Sequence, residues 1–131
     1  NPVDEGLEMV DAVGSKNCDL LLDMFHMSIE ENDIPAAIRK AAGRIGKFHV
    51  SEPNRQIPFH NARFNWSSVG RALRDAGFDG PVIMETVMTF DDMATYNFRI
   101  WRDLIPDTSI SGRIAAMNQG LTFLKEQFGG V

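Results

Sequence analysis

Three side chains able to ligate a metal, Asp23, His49 and Glu85, stand at or near the ends of short apolar runs. The run Leu20-Leu-Leu-Asp23 is followed three residues later by His26. Lys47-Phe-His-Val-Ser-Glu52 carries His49, and Val82-Ile-Met-Glu85 ends in Glu85. Runs this short are too brief for ordinary helices and read as buried strands. A parallel α/β sheet offers ligands from the carboxyl ends of its strands, which is where these residues fall. The intervals between them, 26 and 36 residues, are about the length of a βα unit.

The elements that must position these residues follow an α-then-β rhythm. Val3, Leu7, Val10 and Val13 form an apolar stripe that Gly14 stops. A first strand is expected from about Asp19 to Met24. Asp33 is a plausible N-cap, with Pro35 in the first turn of a helix carrying Ile34, Ala37, Ile38 and Ala41. A second strand is expected over Gly46 to Val50. The stretch from Ser51 to Asn65 lacks periodicity and is long for a connection, which marks it as a functional loop. Asn65 then caps a helix with Trp66, Val69, Leu73 and Ala76 inward. Asp79-Gly80-Pro81 turns the chain into a third strand ending at Glu85. Met93, Tyr96, Ile100 and Leu104 predict a helix ending before Pro106. Ile110, Ile114, Met117, Leu121, Leu124 and Phe128 predict a last amphipathic helix closed by Gly129-Gly130. Strands separated by helices imply parallel pairing and right-handed crossovers. Three strands leave two open edges with little to cover them, so the chain reads as part of a larger sheet.

Composition narrows the function classes. A chain of 131 residues can hold one domain with a real core. Its 44% hydrophobic and 24% charged content is that of an ordinary globular protein. A net charge of −5 without a basic cluster argues against nucleic acid as a partner. No apolar run approaches the ~20 residues needed to span a membrane. The single Cys18 excludes an intramolecular disulfide framework and fits a reducing compartment, so a cytoplasmic location is expected. The chain opens at Asn1 without a methionine, and residues upstream are expected.

Three segments carry a family resemblance. They are Leu22-Asp-Met-Phe-His-Met-Ser-Ile-Glu-Glu31, Phe48-His-Val-Ser-Glu-Pro-Asn-Arg55 and Gly77-Phe-Asp-Gly-Pro-Val-Ile-Met-Glu85, with Val13-Gly-Ser-Lys-Asn17 before them. In order and spacing the chain resembles the ketose 3-epimerases, the D-tagatose and D-psicose 3-epimerases of the xylose-isomerase-like TIM barrels. The resemblance implies an α/β fold: a partial (βα)8 barrel over residues 1–131, with about three parallel strands and five helices. Those strands would be the sixth, seventh and eighth of a barrel whose N-terminal half is absent. It implies a divalent ion, with manganese preferred and cobalt or magnesium as alternatives. Asp23, His49 and Glu85 would supply three ligands, and a glutamate before Asn1 the fourth. Oxygen donors plus one imidazole suit manganese or magnesium. Glu85 would act as one of two acid/base groups on opposite faces of an enediolate, and His26 and Arg55 would bind substrate oxygens. The implied partners are a ketose sugar and further copies of the chain.

Each residue also has a plainer reading. An acid at a strand end is often only a helix cap, a histidine on an apolar strand a packed core residue, and a loop arginine a solvated one. Glu85 after three apolar residues could be salt-bridged to an arginine. Glu52 reads as structural rather than as a ligand, His60 and Cys18 as unremarkable, and the methionines at 24, 27, 84 and 88 as core filler. The sequence departs from the family pattern at Lys47, at Thr86 and in the bulky Pro58-Phe-His-Asn-Ala-Arg63, which leaves the sugar open. Within the same superfamily, an inosose dehydratase-like or hydroxypyruvate isomerase-like reaction is the alternative. From another class, the alternative is a non-catalytic half-barrel that self-associates or docks a separate N-terminal half.

Overall fold

A computed structural model of the chain describes residues 1–59, 62–90 and 93–129. His60, and Gly130 of the expected closing pair, lie outside the described residues. The elements run α1 (Val3–Val13), β1 (Leu20–Asp23), α2 (Met24–Glu30), α3 (Ile34–Lys40), β2 (Ile45–Val50), α4 (Trp66–Asp75), β3 (Val82–Met84), α5 (Met93–Asn97) and α6 (Ile110–Phe128). The strands form one parallel sheet in the order β1-β2-β3, as the α-then-β rhythm requires.

Local chemistry sets most boundaries. Gly14, at φ 63°, closes α1 in the left-handed region where glycine carries no Cβ penalty. The Asp33 carboxylate accepts from the Ala36 N–H at 3.0 Å, and Pro35 fits the first turn of α3. The Asn65 side-chain oxygen accepts from the Ser68 N–H at 3.1 Å at the start of α4. Ser109 Oγ accepts from the Gly112 N–H at 3.1 Å and starts α6.

Three expectations change. The described residues contain six helices, not five. The added one is α2, which begins at Met24, a residue expected to belong to the first strand. Asp23 Oδ1 accepts from the N–H groups of Phe25 at 2.8 Å and His26 at 3.3 Å, so the acid that ends the strand also caps a helix. The helix expected through Leu104 stops at Asn97, because Arg99 turns to φ 57°. Finally, α6 buries Ala116, Gly120, Leu124 and Phe128, while Ile110, Ile114 and Leu121 of the expected stripe are exposed. The small residues let the helix approach its neighbours more closely than the large ones would.

The sheet has two unlike faces. Leu22, Phe48 and Val50 point to one of them and pack with Ile38, Trp66, Val69, Leu73, Leu124 and Phe128 of the helices. Met24 and Met27 lie in the same core, while Met84 and Met88 pack beside a smaller one around Ile57 and Ile105. Each fully buried large apolar side chain contributes about 1.5–3 kcal/mol. Exposed ion pairs such as Lys40 with Asp4 contribute at most about 1 kcal/mol, so the apolar layer holds helices to sheet. The opposite face carries Leu21 paired with Lys47, and Ile83 paired with His49, with Leu21 51% and Ile83 40% exposed. A parallel sheet normally has both faces covered, and here one is open.

Helices α4 and α6 touch at Gly70, where an added Cβ would lie 2.8 Å from Phe128 Cα and 3.1 Å from the Gln127 carbonyl oxygen. Those are backbone atoms, so neither can swing aside. Alanine is the better helix former by about 1 kcal/mol, whereas overpacking costs about 1–3 kcal/mol. Gly70→Ala is therefore expected to lower the urea midpoint, with a net loss of up to about 2 kcal/mol. An unchanged or raised midpoint would show that the two helices can separate at no cost.

Candidate metal centre

The parallel register brings the three ligand-competent residues to one place. Asp23 pairs across the ladder with His49, and Glu85 extends the next ladder by donating its N–H to the Val50 carbonyl at 3.1 Å. Side chains alternate along a strand, so Asp23, His49 and Glu85 share the open face with Leu21 and Ile83. His49 Nδ1 lies 3.7 Å from Asp23 Oδ2 and 3.4 Å from Glu85 Oε2. All three donor atoms fall within 4.8 Å of one another. Ligands about 2.1 Å from a small divalent ion are ~3.0–3.4 Å apart, so small side-chain movements would let this set close on one. Two carboxylates and an imidazole are also the donors that such an ion prefers over soft thiolates.

Asp23 divides its two oxygens. Oδ1 caps α2, and Oδ2 faces the site. The residue is buried, whereas the Glu85 side chain is about half exposed. Burial alone would push the Asp23 carboxyl up. Its contact with Glu85, the hydrogen bond and charge of Arg55, and the His26 N–H together outweigh burial and hold it below the ordinary carboxylate value.

Arg55 comes from the long loop after β2 and reaches into the same site. Its backbone is held in the left-handed region at φ 62°, unusual for a residue with a Cβ. Two backbone bonds fix it there. Arg55 N–H donates to the Glu52 carbonyl, and the Arg55 carbonyl accepts from the Val87 N–H, both at 2.8 Å. Arg55 NH1 donates to Asp23 Oδ2 at 2.9 Å and to Glu85 Oε2 at 2.7 Å. Its NH2 lies 3.4 Å from His26 Nε2. The guanidinium carbon sits 4.3 Å from the Phe25 ring centroid and 5.3 Å from that of Phe98. Arg55 is therefore no solvated loop residue, and Glu85 has the arginine partner that its plainer reading required.

The two aromatic rings were not singled out in the sequence. Phe25 lies beside His26, which could have flagged it, but Phe98 sits in a stretch whose periodicity read as helix. Glu52 serves the loop rather than the site. Its carboxylate accepts from Trp66 Nε1 at 2.7 Å and from the Arg63 N–H at 2.8 Å. A cleft of about 690 Å³ between this loop and α6 includes none of Asp23, His49 and Glu85 in its lining.

Residues 1–125 match the model of the xylose isomerase-like TIM barrel family. The chain is 36% identical to a D-psicose 3-epimerase of Agrobacterium fabrum, covering 99% of this chain and 45% of that protein. It is 35% identical to a D-psicose 3-epimerase of Enterocloster bolteae, covering 98% of this chain and 42% of that protein. A crystal structure of a D-psicose 3-epimerase in the presence of D-fructose superposes with a TM-score of 0.92 at 36% identity, over 99% of this chain and 45% of that one. The chain thus spans less than half the length of the relatives it matches. The bare sheet face agrees with a partial barrel.

Because the Asp23 carboxyl is lowered in the folded chain, its stabilising effect is complete above the ordinary value of 3.8 and disappears as pH falls through the lowered one. In chelator, thermal stability should drop across that acid range, and Asp23→Asn should flatten this part of the profile. The same acid limb in the variant would assign the titration to other carboxylates.

Proposed function

Because the chain belongs to the xylose isomerase-like TIM barrel family, we propose that it supplies the C-terminal, ligand-bearing part of a metal-dependent ketose 3-epimerase. The support is one juxtaposition: two carboxylates and an imidazole gathered within 4.8 Å on the open face of a parallel sheet. Relatives named for epimerising D-psicose and L-ribulose point to the substrate class, a small ketose. In this reading Asp23, His49 and Glu85 hold a divalent ion, manganese first. A fourth ligand comes from a glutamate outside these 131 residues.

Epimerisation at C3 removes a proton beside the C2 carbonyl and returns it to the opposite face. A bound divalent ion supplies positive charge against the oxygen that becomes anionic as the proton leaves. Glu85 is the base on one face, since its half-exposed carboxylate lies at the open side of the site. The group for the other face lies outside this chain. His26 and Arg55 bind and orient substrate oxygens, Arg55 through a guanidinium already held against two aromatic rings. Phe25 and Phe98 keep that guanidinium aligned and shield it from water. The reading places the enzyme in the cytoplasm, in line with the unpaired Cys18, and no helix among the described residues is long and apolar enough to cross a membrane.

Exposed Leu21 and Ile83 favour a second, compatible reading: this sheet face seeks a cover, either another copy of the chain or a separately supplied N-terminal half. A native mass spectrum with and without manganese tests both readings. One ion per chain is expected, and association between chains would appear as a dimer or larger species. His49→Ala should weaken manganese binding by more than about 100-fold, since even residues behind the ligands cost 10–100-fold. The 131 residues alone should not turn over D-fructose or D-tagatose. Manganese binding that ignores His49→Ala would overturn the ligand assignment, and turnover by this chain alone would overturn the need for a second acid/base group.

A further inference from the structure

The oxygens that would face a metal ion already carry a cation. His49 Nδ1 faces Asp23 Oδ2 and Glu85 Oε2, and these same two atoms accept from Arg55 NH1 at 2.9 and 2.7 Å. An ion ligated at about 2.2 Å by Glu85 Oε2 would lie within about 5 Å of NH1 at any bond angle. Two cations that close inside a half-buried site repel strongly. Resting on the proposed metal centre, we infer that Arg55 is an internal competitor for it: the guanidinium holds the two carboxylates together and must withdraw from them as a divalent ion binds.

Three features of Arg55 fit a side chain that moves while its backbone stays fixed. Its main chain is pinned on both sides by the Glu52 and Val87 hydrogen bonds. Its Nε is buried and has no hydrogen-bond partner among the described residues, so the present pose leaves one donor unmatched. A cavity of about 260 Å³ lies beside it, with Phe25, Asn54 and Phe98 in its lining and with Arg99 and Arg102 as two further cations on its wall. A guanidinium sliding along the Phe25 and Phe98 rings into that space keeps its cation–π contacts while it gives up the carboxylates and the longer, 3.4 Å contacts to the Glu85 carbonyl and His26 Nε2. Displaced in this way, its forked donors face outward, where a sugar oxygen can take the place of Asp23 and Glu85. Metal loading and substrate recognition would then be coupled through one residue.

The test compares manganese affinity of the wild-type chain, Arg55→Met and Arg55→Lys by calorimetry, with circular dichroism to confirm folding. Arg55→Met is expected to bind manganese at least tenfold more tightly than wild type. It should melt at a lower temperature in chelator and show a larger rise on adding metal. Arg55→Lys, which keeps the charge, should fall between the two. A measurement on wild type needs no variant: in ¹⁵N spectra, Arg55 side-chain signals slowed by two carboxylates should shift and broaden when diamagnetic magnesium is added. Equal or weaker manganese binding by Arg55→Met, or Arg55 signals unmoved while magnesium binds, would overturn the competition and leave the metal centre intact. No binding by either chain would overturn the centre itself.

Discussion

One carboxylate joins this fold to its site. Asp23 ends β1, its Oδ1 caps α2, and its Oδ2 meets Arg55 and His49. A buried carboxylate without partners is costly, and here each oxygen is satisfied by a different layer of structure. The helix cap fixes the rotamer, and the rotamer aims the second oxygen at the open face. Replacing Asp23 thus alters a helix start and an electrostatic site at once. The two effects separate only when stability and ion binding are measured on the same variant.

The second constraint is register. In a parallel ladder a slip of one residue would turn every side chain to the other face. The observed pairing of Asp23 with His49, and of His49 with Ile83, puts the polar residues on the open side and Leu22, Phe48 and Val50 under the helices. Burying those apolar residues is the term that selects the register. The convergence of Asp23, His49 and Glu85 follows from core packing, and no attraction among the three is needed to assemble them. Two of them are carboxylates held close together, and a cation, whether guanidinium or metal, suits the space between them.

The sequence disclosed the parts of the fold governed by strong local signals. Asp33, Asn65 and Gly14 marked helix ends, and the short apolar runs marked strands. It failed where one residue serves two elements. Asp23 read as a strand end and a site residue, with a helix cap only as its plainer alternative, so the helix it starts was missed. It failed again in α6, where hydrophobic periodicity pointed to Ile110, Ile114 and Leu121. The buried stripe instead uses Ala116 and Gly120, because close approach to a neighbour needs small residues more than large ones. The positions of Asp23, His49 and Glu85 were legible because strand ends in a parallel sheet converge. The aromatic clamp of Phe25 and Phe98 was not, because its two rings are far apart in sequence and come together, 6.2 Å between centroids, only in the fold.

In the proposed centre, the division between strand-borne and loop-borne residues follows from what each group would do. Metal ligands must hold separations to within tenths of an ångström, and a hydrogen-bonded ladder supplies that rigidity. A residue that exchanges partners needs an anchored backbone and a free side chain. The loop after β2 provides both. Buried Glu52 ties the loop to Trp66 and Arg63, its carbonyl accepts the Arg55 N–H, and the left-handed turn at Arg55 throws the side chain towards the sheet. The strain of that backbone is sustained by Glu52 and Val87, not by the carboxylates the guanidinium touches. Arg55 can therefore leave Asp23 and Glu85 without unfolding its loop, which a residue held only by its ion pairs could not do.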